Sequence, residues 1–394
     1  MNAVSFQLNA RNLWDQLTEG SKYNGTKYLQ LVPDLEPLKG LIDIKSTDDE
    51  PMFIRIDNDD AQRREFFVAK KCCLKLCVAA IFELNRILEM EERNPQMWSE
   101  SMQWQAFLTT IALLVTSPEN HSALNLHQDL AEILFLRDET ILRSELYLLI
   151  SLLTCNNAKV NKSSSIWHLF KKVYLLHVVQ NVNVSSIVLH ANLLSATEHK
   201  NNYYAWSFAR FFVQVEWLVY DNNLQGVYTQ VRQFCRDAPQ DTSSWMFLQH
   251  LMTLEFTPKL REKLQLDCLR LLDGFSVGDI RFGEAYGRPF SREEVREIVL
   301  ETIEWIHRME ITSLSPWEFV KMNIGEDLST VVDQLKESVS KFEDEHGKIH
   351  LINGYFETES SIDESNLLLM KLYTTTANKK RVLRWYEKHG RFNG

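Results

Sequence analysis

This sequence predicts an all-α fold, a right-handed α-α superhelix built as a solenoid of helical hairpins behind a short extended N-terminal arm. Three observations predict it. Apolar residues recur three and four apart over most of the chain, as they do in helices that bury one face. Glycine (13) and proline (9) are scarce among 394 residues, leaving few sites for the tight turns of strand-rich folds. Trp167, Trp206 and Trp245 lie 39 residues apart, twice in succession, a period that fits one two-helix unit.

Residues 1–60 differ from the rest. Pro33, Pro37 and Pro51 interrupt them, and the segments LIDIK and MFIRID alternate as strands do, so this region is predicted as an extended arm with two short strands. Residues 61–394 are predicted as the helical-repeat solenoid. Its first helix is read over 61–91, where Phe66, Phe67, Leu74, Leu76, Cys77 and Ile81 recur at helical spacing. Asn94-Pro95 ends it, because a residue before proline avoids the helical basin. Further helices are read at about 98–116, 124–136, 138–154, 165–181, 184–198, 203–220, 223–236, 241–256, 259–273, 291–310, 316–323, 326–345 and 363–388. The stretch 274–291 holds four of the 13 glycines and is predicted as a long loop. GKIHLINGYFETESS is read as a second irregular stretch.

The repeat extends along its helix. Two residues after each Trp stand Leu169, Phe208 and Phe247, and six after stand Val173, Phe212 and Leu251. Trp98 and Trp317 lie 69 residues before and 72 after this series, nearly two periods, with room for a degenerate unit or an insertion in each gap. All five tryptophans are expected in the repeat core, filling the wedge between stacked helix pairs.

Composition excludes several functions. A net charge of -10 without a long basic run argues against nucleic acid as a partner. The basic cluster Lys379, Lys380, Arg381 and Arg384 is expected to be a solvated helix face. The cysteines Cys72, Cys73, Cys77, Cys155, Cys235 and Cys268 form no C-x-x-C pair, so buried reduced thiols are expected and no metal site on this chain. No apolar run reaches the ~18–20 residues that span a bilayer, and Asn2 stands where N-myristoylation needs glycine; a cytoplasmic, non-integral protein is expected.

The sharpest motif is HKNNYYAWSFARFFV at 199–213. Arg210 follows Trp206 by four residues, and Lys171 and Lys321 take the same place after Trp167 and Trp317, which predicts cations emerging on the inner side of the stack. The set Asn202, Tyr203, Trp206 and Arg210 resembles the N-Y-x-x-W-x-x-R-R pattern of protein prenyltransferase alpha subunits. NYYAWS and the strand-like arm look closest to that family's divergent repeat-containing branch, the alpha-like subunit of type III geranylgeranyltransferase. The resemblance implies an alpha-type subunit wrapping a Rab geranylgeranyltransferase beta-like partner. That partner would hold the zinc, and the pair would transfer a geranylgeranyl group from its diphosphate to a cysteine of a substrate protein. It implies diphosphate or substrate contacts for Lys200, Tyr203 and Arg210. The sequence departs from the pattern at Asn201, Tyr204 and Ala209.

Other candidates are weaker. His121 and His127, with Asp129, are expected in loops and on the surface; Glu304 and His307 form a single E-x-x-H, too little for a di-iron site. No P-loop, G-x-S-x-G or H-E-x-x-H occurs. The alternative reading is a helical-repeat adaptor that scaffolds a protein complex without catalysis.

Overall fold

The computed structural model describes residues 3–18, 26–35, 53–58, 63–90, 93–220, 224–273, 280–283, 286–325, 328–352, 355–358 and 367–389. The segment LIDIK lies outside them. The described chain is an all-helical repeat protein of 16 helices with five short strands.

The first 69 residues hold more than an extended arm. Helix α1 (Ala3–Thr18) buries Phe6, Ala10, Leu13, Trp14 and Leu17 along one face, and Trp14 meets Phe107 edge-on with ring centres 5.1 Å apart. Strands β1 (Thr26–Val32), β2 (Phe53–Asn58) and β3 (Arg63–Ala69) form a sheet in the order β1-β3-β2, with β1 parallel and β2 antiparallel to β3. Residues 63–69 are therefore strand where helix was expected. Phe66 and Val68 are buried while Glu65 and Phe67 are half-buried, the period of two that a strand imposes. The outer edge of β1 is closed by Asn156, whose Oδ1 accepts from Leu31 N at 2.8 Å and whose Nδ2 donates to Leu31 O at 3.4 Å. Helix α2 (Lys70–Leu88) begins where the strand ends.

The helices α3 (Glu100–Thr116), α4 (His121–Phe135), α5 (Thr140–Leu153), the one-turn α6 (Ala158–Asn161), α7 (Ser164–Val179), α8 (Ser185–Glu198) and α9 (Tyr203–Tyr220) follow. Then come α10 (Gln225–Asp237), α11 (Thr242–Thr253), α12 (Pro258–Leu271), α13 (Arg292–Arg308), α14 (Leu314–Asn323) and α15 (Ser329–His346). An antiparallel hairpin of β4 (Ile349–Ile352) and β5 (Tyr355–Thr358) and the long α16 (Leu367–His389) close the chain. The chain divides into two compact units, residues 1–222 with 259–284, and residues 223–258 with 285–394.

The 39-residue period has a structural basis. Trp167, Trp206, Trp245 and Trp317 are each the fourth residue of their helix, and all four are buried. In the first unit, the ring of Trp167 packs on Phe208, two residues past the next Trp, at 5.4 Å. In the second unit Trp245 meets Phe319, the equivalent residue after Trp317, at 5.6 Å. Helices α11 and α14 thus pack directly, so the 72-residue gap places no degenerate repeat between them. Trp98 is buried too, but stands after a 3-10 turn (Pro95–Met97), outside any helix.

The C-terminal basic cluster is not a solvated face. Lys380 Nζ donates to Glu343 Oε1 at 2.5 Å and Ile349 O at 2.6 Å, Lys379 Nζ to Ser338 Oγ at 2.7 Å, and Arg384 Nη1 to Leu351 O at 3.1 Å. These bonds bolt α16 to α15 and to the hairpin.

Candidate functional site

The residues of the N-Y-x-x-W motif serve the repeat itself. Asn202 is fully buried and stands just before α9, where its Oδ1 accepts from Ala205 N at 3.3 Å. Its Nδ2 donates to Asn161 Oδ1 at 2.6 Å and to Ser195 Oγ at 3.2 Å. Asn161, also buried, donates to Leu153 O and Ser195 O, and its own carbonyl receives Trp167 Nε1 at 2.8 Å. One amide pair therefore ties together the ends of α5, α6 and α8 and the starts of α7 and α9. Ser163 and Asp241 occupy the same position, four before Trp, and cap α7 and α11 by accepting from Ile166 N and Ser244 N. That signal is present in the sequence as Ser163, Asn202, Asp241 and Ser313, each four residues before a Trp.

A prediction follows for Asn202. Asn202→Ala removes a cap and strands the buried Asn161 Oδ1, a loss of about 2–3 kcal/mol. Asn202→Ser keeps a capping oxygen but not the link to Asn161, and recovers about half of that. Hydrogen exchange across α7 and α9 in low urea measures both, and full recovery by serine would show that the amide pair contributes nothing.

The cations four residues after the tryptophans are held by this chain. Lys171 lies 5.3 Å from the centre of the Phe211 ring; burial holds its ammonium below the ordinary lysine range, and Asp267 of α12 partly restores it. Arg210 Nη1 donates to Trp206 O at 3.1 Å, and burial lowers this guanidinium too, with Tyr203 opposing. Lys321 pairs with Glu318 on its own helix. Lys200 is exposed in the turn before α9, where its carbonyl accepts from Lys162 Nζ at 3.3 Å; Tyr203 is 68% exposed. Asn201 takes φ 53°, and this left-handed residue turns the chain into α9.

Two buried carboxylates were not expected. His127, fully buried rather than at the surface, sits in a chain: Thr110 Oγ1 to His127 Nδ1 at 2.9 Å, and His127 Nε2 to Glu145 Oε1 at 2.9 Å. Thr110 Oγ1 also donates to Phe107 O at 2.6 Å. The Phe107 ring stacks on the imidazole at 4.8 Å and 10°. Glu216 accepts from Tyr174 Oη at 2.5 Å and Ser185 Oγ at 2.8 Å, and burial and this carboxylate hold the Tyr174 phenol well above its ordinary range. Both carboxylates are 2% exposed and act as core polar links, and Glu145 borders a small, mostly apolar pocket lined by Leu142, Leu169, Val173 and Leu176. His307 packs 6.0 Å from Trp317, and the described residues contain no cluster of three His, Cys, Asp or Glu side chains able to hold a metal. All six cysteines are free thiols; burial pushes those of Cys73, Cys155, Cys235 and Cys268 up to about 12.

The second unit carries an open groove of about 620 Å³ between the C-terminal ends of α11 and α14 and the first turns of α13. Met252, Phe290 and Ile324 are its buried apolar parts, and Arg288, Arg292, Glu293 and Arg296 its charged ones. Ser291 and Glu294 close a capping box that fixes the start of α13. Arg288 is paired with Glu255 at 2.9 Å. Among the described residues no ion pair or hydrogen bond engages the side chains of Arg292 or Arg296, one turn apart on α13.

Comparison with known proteins decides the relationship. Residues 6–154 match the family model described as the ECM9 N-terminal domain, and residues 166–268 match the ECM9 middle domain. The chain is similar to ECM9 proteins. Protein ECM9 of Saccharomyces cerevisiae is 28% identical over 265 residues, 63% of this chain and 67% of that protein. The ECM9-like N-terminal segment covers α1, the sheet and the Thr110–His127–Glu145 chain. The ECM9-like middle segment covers the repeat from Trp167 to Trp245. Most of the groove, from Arg288 onward, lies outside both.

Similarity to ECM9 domains over both segments overturns the resemblance to prenyltransferase alpha subunits, and with it the geranylgeranyl-transfer reading and the zinc-bearing beta partner. The physical source of the false match is plain. A capping Asn four residues before a buried Trp is what stacked helix pairs need, whatever they bind.

Proposed function

We propose that this protein acts by binding, and that the groove on its second unit takes an acidic peptide segment with an apolar anchor. The observation that supports this reading is the pair Arg292 and Arg296, unpaired among the described residues, at the rim of a groove whose lining mixes polar and apolar side chains. A guanidinium offers a planar fork that matches a carboxylate, and two forks one helical turn apart suit two acidic side chains. A groove of about 620 Å³ lies within the ~300–1,000 Å³ of ligand-binding clefts and is open enough for a chain to lie along it. Met322, 51% exposed in the lining of the groove, offers a contact for an apolar side chain. In a protein of net charge -10, a rim with more arginine than carboxylate selects its partner by charge.

A fluorescein-labelled peptide alternating Asp and Leu tests this by polarisation. The double charge reversal Arg292→Glu/Arg296→Glu is expected to weaken binding at least about tenfold, equivalent to ~1.4 kcal/mol, with unchanged circular dichroism. Added salt should weaken wild-type binding in parallel. Equal binding of an Asn/Leu peptide, or unaltered binding by the double variant, sinks the reading.

A further inference from the structure

Helix α2 is apolar on two sides. One side, Cys73, Leu76, Cys77, Ala80, Leu84 and Ile87, is buried, and α2 packs on α3 and α1. The other presents Leu74, Val78, Ile81, Phe82 and Leu88 to solvent, with Leu74 65% and Phe82 71% exposed. A helix at a protein surface needs one apolar stripe, and a second exposed one marks a contact still to be made.

The spacing identifies the kind of contact. Leu74, Val78, Ile81, Asn85 and Leu88 follow steps of four, three, four and three, the a/d seam of a two-stranded coiled coil about 21 Å long. Asn85 is the one polar residue in that row, the kind of seam position that fixes register and strand number. Charge names the occupant. The exposed Lys70, Lys71 and Lys75 flank the N-terminal end and the exposed Glu89 the C-terminal end, where Arg86 is already paired with Glu83 on the same helix. Two copies related by a two-fold axis across the seam bring each lysine end beside the other's glutamate end, and oppose the helix dipoles. A parallel pair sets lysine against lysine.

We infer that the outward face of α2 is a self-association surface, on which two copies of this chain pair their Leu74–Leu88 seams antiparallel. In this register Val78 layers on the partner's Ile81, and Leu74 on the partner's Asn85. The helix is already held by its own core, so a seam this short pays no folding entropy on pairing.

Sedimentation velocity over about 1–100 μM, a span that reaches weak surface affinities, is expected to show the mass rising towards twice 46.2 kDa. Leu74→Glu/Phe82→Glu should stay at 46.2 kDa with wild-type circular dichroism, both residues being exposed. Orientation is read by mild oxidation. The double variant Leu74→Cys/Asn85→Cys should cross-link into a covalent dimer. Leu74→Cys alone should not, since its two copies would sit about 16 Å apart along the seam at ~1.5 Å per residue. The wild type controls for the native thiols. A monomer at every concentration overturns the inference, as does a dimer that survives Leu74→Glu/Phe82→Glu. Cross-linking of Leu74→Cys by itself overturns the antiparallel pairing.

Discussion

Replacing His127 with leucine is expected to cost about 3–5 kcal/mol. The imidazole is fully buried, stacked on Phe107, and is the described partner of the Glu145 carboxyl, itself 2% exposed. Taking it away leaves that buried carboxyl without its described hydrogen-bond partner. Thr110 suffers less, because its hydroxyl keeps its bond to Phe107 O. The double variant His127→Leu/Glu145→Leu removes both groups and should recover most of the loss, ending within about 2 kcal/mol of the wild type. Hydrogen exchange across α3, α4 and α5 in low urea reads the local unfolding free energy and avoids assuming that a two-unit chain melts in one step. Losses that add, instead of cancelling, would show that the two groups are not coupled.

Trp206→Ala should cost a comparable 3–5 kcal/mol, whereas Tyr203→Ala and Lys200→Ala, in the same motif, should each fall within about 0.5 kcal/mol of wild type. Trp206 is 1% exposed and among the largest fully buried side chains, so its removal leaves a cavity that close-packed neighbours fill only in part. Tyr203 and Lys200 reach solvent. Hydrogen exchange across α7, α8 and α9 in low urea for the three variants separates a core motif from a surface one. A large loss at Tyr203 or Lys200 would contradict the assignment of this motif to repeat packing.

The sequence conveyed some elements well and others badly, for identifiable reasons. Helix α9 was read at 203–220 and is found there, because its apolar residues follow one period without interruption. Strand β3 reads as helix in the sequence because RREFFVA runs straight into a helix, and seven residues of alternation are submerged in the longer pattern. Strand β1 was missed because its partner β3 begins 37 residues later, and no local signal reports so distant a pairing. Helix α1 did carry a signal, since Phe6, Ala10, Leu13, Trp14 and Leu17 fall on one face, but the prolines further along drew the whole region towards an extended reading. The groove was illegible for a different reason. Its lining comes from residues 252–253, 288–296 and 322–325, stretches that no spacing rule connects.

By itself the sequence determined the all-helical repeat: periodic burial and the 39-residue recurrence of Trp are local and additive, and each is written in consecutive residues. Only the tertiary structure decided what the conspicuous side chains do. Asn202 and His127 are polar residues whose meaning depends on whether water or another buried group meets them, and that is settled by residues 18 to 41 positions away. The same holds for Arg292 and Arg296, ordinary surface cations on a helical wheel until the ends of α11 and α14 stand opposite and make a groove of them. Pattern fixes which face of a helix is apolar; desolvation and partner choice, which govern polar groups, exist only once the chain has folded.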